Sequence, residues 1–271
     1  MSSQDRSEGS AGGTRAGLAL LSRARELQQS SRTMDYRMPV ILPFVPVILE
    51  FIGAILAIAF IFIGAISVIA STGQGLAGPM VASGAAFGIA IYVLALVIYI
   101  YVVYKWISRR NSHFERVSLL AGVLTDLSST LKLQGAEMIR MRYDELQQAR
   151  AKRSVGLNVA AFIIIPFYAL YVFHFLNKDF ARHSEKEALF LGQLISSLRS
   201  ADPHFARRIE EFERVDDRST LLYVILYLIT LGLFGIYWVY VLTRDPNAHF
   251  ESHEVLERDV IASFERLLGA A

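Results

Sequence analysis

The chain has 271 residues, 54% of them hydrophobic and 19% charged, with a formal net charge of +2. An apolar content above the roughly 45–50% of an average soluble domain excludes a soluble globular enzyme as the starting assumption. The absence of Cys excludes a disulfide scaffold, a thiolate nucleophile and Cys-ligated zinc. A near-neutral charge gives no reason to expect nucleic acid as a partner.

Residues 1–13 are Ser/Gly-rich, without an apolar anchor, and are expected to be disordered. The following apolar patch, Leu18–Leu21, is too short for a signal-peptide core. Residues 14–37 place Leu18, Leu21, Ala24 and Leu27 at helical spacing, with arginines opposite, which predicts an amphipathic helix beside a membrane. Residues 38–107 form a two-span transmembrane hairpin. Between Arg37 and Lys105 the only charged side chain is Glu50, and such a length cannot cross a bilayer once. The spans are predicted over about 46–71 and 81–106, joined by an uncharged Gly-rich connection at 72–79. Gly84 and Gly88 on one span, with Gly53 and Ala57 on the other, are the small residues expected to let the two backbones approach. Glu50 lies one turn after Pro46, where a helix dipole favours an anion; the alternative is a proton- or cation-related intramembrane carboxylate.

Polar amphipathic helices are predicted over 108–154 and 178–218, separated by an uncharged apolar segment at 155–177. A second such segment at 219–243 precedes a C-terminal amphipathic helix at 244–271. Self-comparison ties these pieces together. Arg142–Lys152 aligns with Arg208–Arg218 without a gap, and in the same register Tyr171, His183 and Glu185 fall on Tyr237, His249 and Glu251. Tyr101, His113 and Glu115 repeat the internal spacing. The reading is a threefold repeat of amphipathic helix, apolar segment, aromatic exit, a turn with His-x-Glu, and amphipathic helix. The first copy is longer by roughly one further span and its loop. The fold class is therefore an all-α integral membrane protein, with a two-span hairpin and two further apolar segments.

Whether 155–177 and 219–243 span or re-enter decides the topology. Pro166 breaks the first, and Gly232 with Gly235 can break the second. Re-entry would keep every polar segment on one side and all 27 Lys and Arg cytoplasmic. Against it, a hairpin tip in lipid exposes backbone groups, and some 23 residues suffice for a single crossing. The balance leans slightly to re-entry, with the termini cytoplasmic in a multi-pass protein of the cell membrane.

The run Ile229–Asp245, and within it the pattern I-T-x-G-x-x-G-I-Y-W-x-Y over Ile229–Tyr240, resembles a family of uncharacterised prokaryotic membrane proteins defined as a domain of unknown function. The sequence departs from that hallmark where Leu233 and Phe234 replace the usual Ile-Tyr and Val241 replaces a basic residue. The resemblance implies membrane residence and no known activity.

The aromatic exits Tyr101, Tyr104 and Trp106, Tyr168 and Tyr171, and Tyr237, Trp238 and Tyr240 are read as anchors at the membrane–water boundary. His113, His183 and His249 are read as turn or helix-start residues, with Asp245 as N-cap and Pro246 as the first helical residue. In that role they would lie well apart. The alternative is a metal site in which His249 and His253, at i and i+4, share an ion with His183 or Glu187. Copy one breaks that pattern with Val117. No phosphate-binding loop, nucleophile elbow or Ser-His-Asp arrangement is present. The function expected is therefore non-enzymatic: a membrane-organising, membrane-shaping or scaffold protein without a cofactor. Its partner is the lipid bilayer, with a homo-oligomer or other membrane proteins as further candidates. The alternative is a transporter or channel component, for which Glu50, Asn158 and His174 are the only polar candidates in the apolar segments.

Overall fold

The computed structural model describes residues 3–70 and 77–270, and these are all-α. The elements are α1 (Ser3–Gln29), α2 (Ser31–Met34), α3 (Val45–Ala70), α4 (Ala77–Thr130), α5 (Ala136–Gln147), α6 (Val155–Ile164), α7 (Tyr168–Ala201), α8 (Thr220–Ile229) and α9 (Phe234–Ala270). Helix α1 begins at Ser3 rather than Thr14, so the segment expected to be disordered is drawn into it. No proline interrupts that stretch, and a helix nucleated at Leu18–Leu27 extends at one hydrogen bond per residue. Most of the connection expected at 72–79 lies outside the described residues.

Among the described residues, two helices are long and apolar enough to cross a membrane, within Leu42–Ile66 and Val81–Thr130. They present Ile, Leu, Val and Phe outward instead of burying them as a soluble core helix would. Helices α3 and α4 pack as an antiparallel pair. A Cβ at Gly84 would sit 2.6 Å from Phe60 Cβ, and one at Gly53 would sit 3.0 Å from Ile91 Cγ2, so both glycines mark close approach. Gly88 corrects the expected pair, because a Cβ there would meet nothing within 4 Å. Ala57 is half-buried beside this seam.

Helices α4, α7 and α9 organise the rest. Each contributes first to an apolar cluster (Val102 and Trp106; Val172 and Phe175; Trp238 and Val241) and farther along to a second (Leu120 and Leu124; Leu191 and Leu194; Leu256 and Val260). The order is the same in all three, so they run side by side in one direction. None breaks where its apolar part becomes polar, and His113, His183 and His249 are mid-helix residues instead of turn residues. Pro246 likewise lies inside α9 and not at its start. Proline offers no N–H to the carbonyl four residues back, which is Leu242. That carbonyl accepts from Arg109 Nη2 instead, at 2.9 Å. The helix survives because a neighbouring helix supplies the missing donor.

The amphipathic helices bury their apolar faces against one another. Leu21, Ala24 and Leu27 of α1 join Leu120, Leu194, Leu256, Val260 and Phe264 in one core. Arg25 reaches Glu265 at the rim. Trp106 and Trp238 are also buried, not anchored at a wet boundary. Trp106 donates to Thr243 Oγ1 at 3.2 Å, and both indoles meet Phe173 edge-on. Tyr101, Tyr104, Tyr171, Tyr237 and Tyr240 keep exposed rings, and Tyr168 is intermediate.

The apolar segments 155–177 and 219–243 each fold back on themselves. In the first, Ser154 caps α6 by accepting from Leu157 N. Ile165 is extended, as a residue before Pro166 must be, and Phe167 reverses the chain at φ 61°. Arg153 at the base of α6 then meets Asp179 of α7 at 3.0 Å. In the second, Ser219 caps α8, Gly232 turns at φ 91°, and Arg218 meets Asp245 of α9 at 2.5 Å. Three asparagines fasten the incoming chain. Asn111 brackets the backbone of Arg153 (2.7 and 3.1 Å), Asn247 brackets that of Met38 at the same distances, and Asn177 donates to Arg218 O at 2.9 Å.

Candidate functional site

Where α4, α7 and α9 pass one another, between the two apolar clusters, the structure gathers a fully buried polar centre. His113, His183 and His249 stand at equal height on neighbouring helices, so they converge instead of lying apart as expected. Ring centroids are 5.4 Å apart for His113–His183, 5.1 Å for His113–His249 and 6.4 Å for His183–His249. Glu187, one turn after His183, points into the same space. Its Oε2 lies 3.5 Å from His183 Nε2 and 3.4 Å from His249 Nε2. One ligand atom from each of His113, His183, Glu187 and His249 falls within 4.8 Å of the others.

Each ring is oriented from outside the cluster. His113 Nδ1 contacts Asp35 Oδ1 at 3.0 Å, and His249 Nδ1 contacts the Glu213 carbonyl at 2.7 Å. A carbonyl only accepts, so His249 carries its proton on Nδ1 and leaves the Nε2 lone pair facing inward. The ionised Asp35 imposes the same tautomer on His113. His183 stacks on Phe114 at 3.8 Å, and neither of its nitrogens has a hydrogen bond. His113 Nε2, His249 Nε2 and Glu187 Oε2 are likewise buried without a hydrogen-bond partner among the described residues.

A charged chain surrounds the rings. Arg116 grips Asp35 with Nη2 at 2.6 Å and Nε at 3.1 Å, and reaches Glu257 with Nη1 at 2.8 Å. Glu257 accepts from His253 Nδ1 at 2.8 Å, and His253 Nε2 lies 3.3 Å from Glu187 Oε1. Burial by itself would strip the charge from these groups, and their neighbours reverse that. Against burial, the Glu187 and Glu257 carboxylates push His253 up to about 10. Against the same penalty, His253 holds Glu187 well below the usual carboxylate range, Arg116 with His253 does so for Glu257, and His113 with Arg116 does so for Asp35. Burial pushes His183 well down, so it is neutral. A cavity of about 20 Å³, the space of a single water, adjoins Glu187, His253 and Glu257.

The other sequence-predicted residues lie elsewhere. Glu115 faces outward and pairs with Lys152 at 2.8 Å; Glu185 and Glu251 are exposed. Glu50 is exposed on α3. Asn158 is absorbed into its own hairpin, donating to Ser154 O and accepting from Tyr168 Oη, and His174 contacts Thr220 Oγ1. Sequence reasoning missed Asp35 and Arg116 and left His113 out of the metal alternative. The i, i+4, i+8 series His249, His253, Glu257 was a visible sign of one polar stripe on an otherwise apolar helix face.

No curated protein and no solved structure matches the chain. Residues 218–263, which hold the Ile229–Tyr240 hallmark as well as His249, His253 and Glu257, match the family described as a domain of unknown function, DUF4234.

Proposed function

We propose that the protein is a non-enzymatic membrane scaffold, built as three cyclically arranged copies of one unit and acting as a wedge in one leaflet. Helices α3 and α4 cross the bilayer, the two apolar hairpins re-enter it, and the helical bundle with both termini sits on the cytoplasmic face. The single observation that carries this reading is the depth of the hairpins. Helices α6 and α8 have 10 residues each, about 15 Å at 1.5 Å per residue, half of a hydrocarbon core about 30 Å thick. Their tips are apolar and exposed, with Leu231 at 94% and Phe167 at 84%. Half-depth insertions widen one leaflet and not the other.

Several contacts support the reading. The objection to a tip in lipid is unpaired backbone, yet the turn N–H groups are bonded locally: Gly232 to Tyr227 O, Leu233 to Thr230 O, Gly235 to Gly232 O and Ile165 to Ala161 O. Asn111, Asn177 and Asn247 each hold the chain entering the next hairpin, the last closing the ring onto Met38. All 27 Lys and Arg then face one side, as the positive-inside tendency favours. A transport route has less support, since Asn158 and His174 are occupied within the hairpins and Glu50 faces outward.

Topology is tested by adding single cysteines to this Cys-free chain. A Ser200→Cys variant in intact cells is expected to resist a membrane-impermeant thiol reagent and to react after permeabilisation. Labelling from outside would overturn the re-entrant arrangement. Reconstitution into liposomes is expected to reduce vesicle diameter, and polar replacement of the exposed Ile229, Leu231 and Leu233 to weaken that effect. Vesicles unchanged by the intact protein would overturn the wedge.

A further inference from the structure

We propose that His113, His183, Glu187 and His249 are the four ligands of a closed, tetrahedral site for a divalent transition-metal ion of the zinc class, stapling α4, α7 and α9 together. The proposal goes beyond the scaffold reading and does not depend on which side of the membrane the bundle occupies.

Four independent features of the centre agree. First, the donor set is three imidazoles and one carboxylate, the nitrogen and oxygen ligands zinc takes where thiolates are absent. Second, the spacing fits. Bonds of 2.0–2.1 Å at tetrahedral angles put neighbouring ligand atoms about 3.3 Å apart. Glu187 Oε2 lies 3.5 and 3.4 Å from His183 Nε2 and His249 Nε2, and all four ligand atoms lie within 4.8 Å of one another. A closure of up to about 1.5 Å between ligand atoms, within the reach of side-chain rotation, completes the tetrahedron. Third, the inward atoms have no hydrogen bond among the described residues: His113 Nε2, His183 Nε2, His249 Nε2 and Glu187 Oε2. A buried polar atom left without a partner is costly. Four such atoms aimed at one point have an explanation if that point receives a cation. Fourth, the outer contacts are those of a metal site. Ligating imidazoles characteristically hydrogen-bond their other nitrogen to a carboxylate or a backbone carbonyl. His113 does so to Asp35 and His249 to Glu213 O, which fixes Nε2 as the ligating atom in both.

With four protein ligands and no open position the site is structural and not catalytic. His253 is not a ligand. Its Nε2 lies 3.3 Å from the second oxygen of Glu187, and its Nδ1 bonds Glu257, which Arg116 also holds.

The test uses the full-length protein in detergent micelles, freed of metal with a chelator and then titrated with zinc against a chromophoric competitor. One zinc per chain is expected. Cobalt(II) in its place is expected to give the intense visible bands of a four-coordinate ion with nitrogen and oxygen ligands. His183→Ala is expected to weaken zinc by more than the roughly 10–100-fold that Asp35→Asn, an outer-shell change, should produce. His174→Gln, at an exposed histidine outside the site, is expected to leave affinity unchanged. Should His183→Ala fail to fold, the intact protein's stoichiometry and cobalt spectrum decide alone. Less than half an ion per chain with helicity retained, a weak octahedral cobalt spectrum, or equal zinc affinity in folded His183→Ala would overturn the site.

Discussion

Pro246 sits inside α9 without disrupting it because Arg109 of α4 bonds the carbonyl that proline orphans, and this coupling can be measured. Arg109→Met keeps the apolar stem and removes two hydrogen bonds, one to Leu242 O at 2.9 Å and one to Asn247 Oδ1 at 2.9 Å. The Leu242 carbonyl is then buried and unpaired, at a cost of about 1–3 kcal/mol. Part of that is recovered because a fully buried guanidinium no longer has to be desolvated. Pro246→Ala restores an N–H four residues after Leu242. In the native background that N–H finds its acceptor already served, whereas in the Arg109→Met background it rescues the orphaned carbonyl. The two substitutions should therefore be non-additive, with Pro246→Ala stabilising the Arg109→Met protein by about 1–2 kcal/mol more than it stabilises the native chain. The assay is a double-mutant cycle of denaturant unfolding in micelles, read by far-UV circular dichroism. Additivity within about 0.3 kcal/mol would refute the idea that Arg109 substitutes for the missing proline N–H.

Gly84→Val should loosen the α3–α4 pair, since the added Cβ would sit 2.6 Å from Phe60 Cβ, while Gly88→Ala should be neutral or stabilise by up to about 1 kcal/mol; crosslinking between cysteines placed on the two helices reports both. Phe264→Ala, at a fully buried position, should cost about 3–5 kcal/mol and unfold the bundle before the spans, as hydrogen exchange would resolve. Asp202 supplies a pH dependence. Burial would raise its pKa, but hydrogen bonds from Arg266, Ser263 and the His204 amide hold it at about 2, below the ordinary 3.8. A depressed carboxyl stabilises the fold above its unfolded pKa and loses that contribution as pH falls through the folded one. The stability gap between the native protein and Asp202→Asn should accordingly be full above about pH 4 and shrink toward pH 2; a gap independent of pH would refute it.

Composition and periodicity by themselves determined the helical class, the two long apolar helices and the family hallmark at Ile229–Tyr240. Each of these depends on local quantities: the length of an uncharged run, the 3.6-residue spacing of Leu and Ala, and a short string of aromatics and glycines. The apolar faces of the amphipathic helices were legible for the same reason, but their destination was not. Leu256, Val260 and Phe264 carry the same pattern whether they meet lipid or Leu21 and Leu120, and the choice is made by which helices the chain brings together.

The polar centre shows most clearly what only the tertiary structure decided. A histidine after an aromatic exit, followed by Glu two residues later, reads as a turn because local sequence cannot reveal that a helix continues through it. Continuity depends on Arg109 serving the carbonyl behind Pro246, across a separation of more than a hundred residues. Trp106 and Trp238 look like boundary anchors until neighbouring helices enclose them. Asp35 and Arg116 give no sequence signal at all, being an ordinary acid near a helix end and an ordinary base in a polar stretch. Burial converts them into a clamp on His113, since in a medium that disfavours lone charges each must find the other. Spacing along the chain placed His113, His183 and His249 at equal heights on three helices; the side-by-side packing of α4, α7 and α9 made that equality a single point in space.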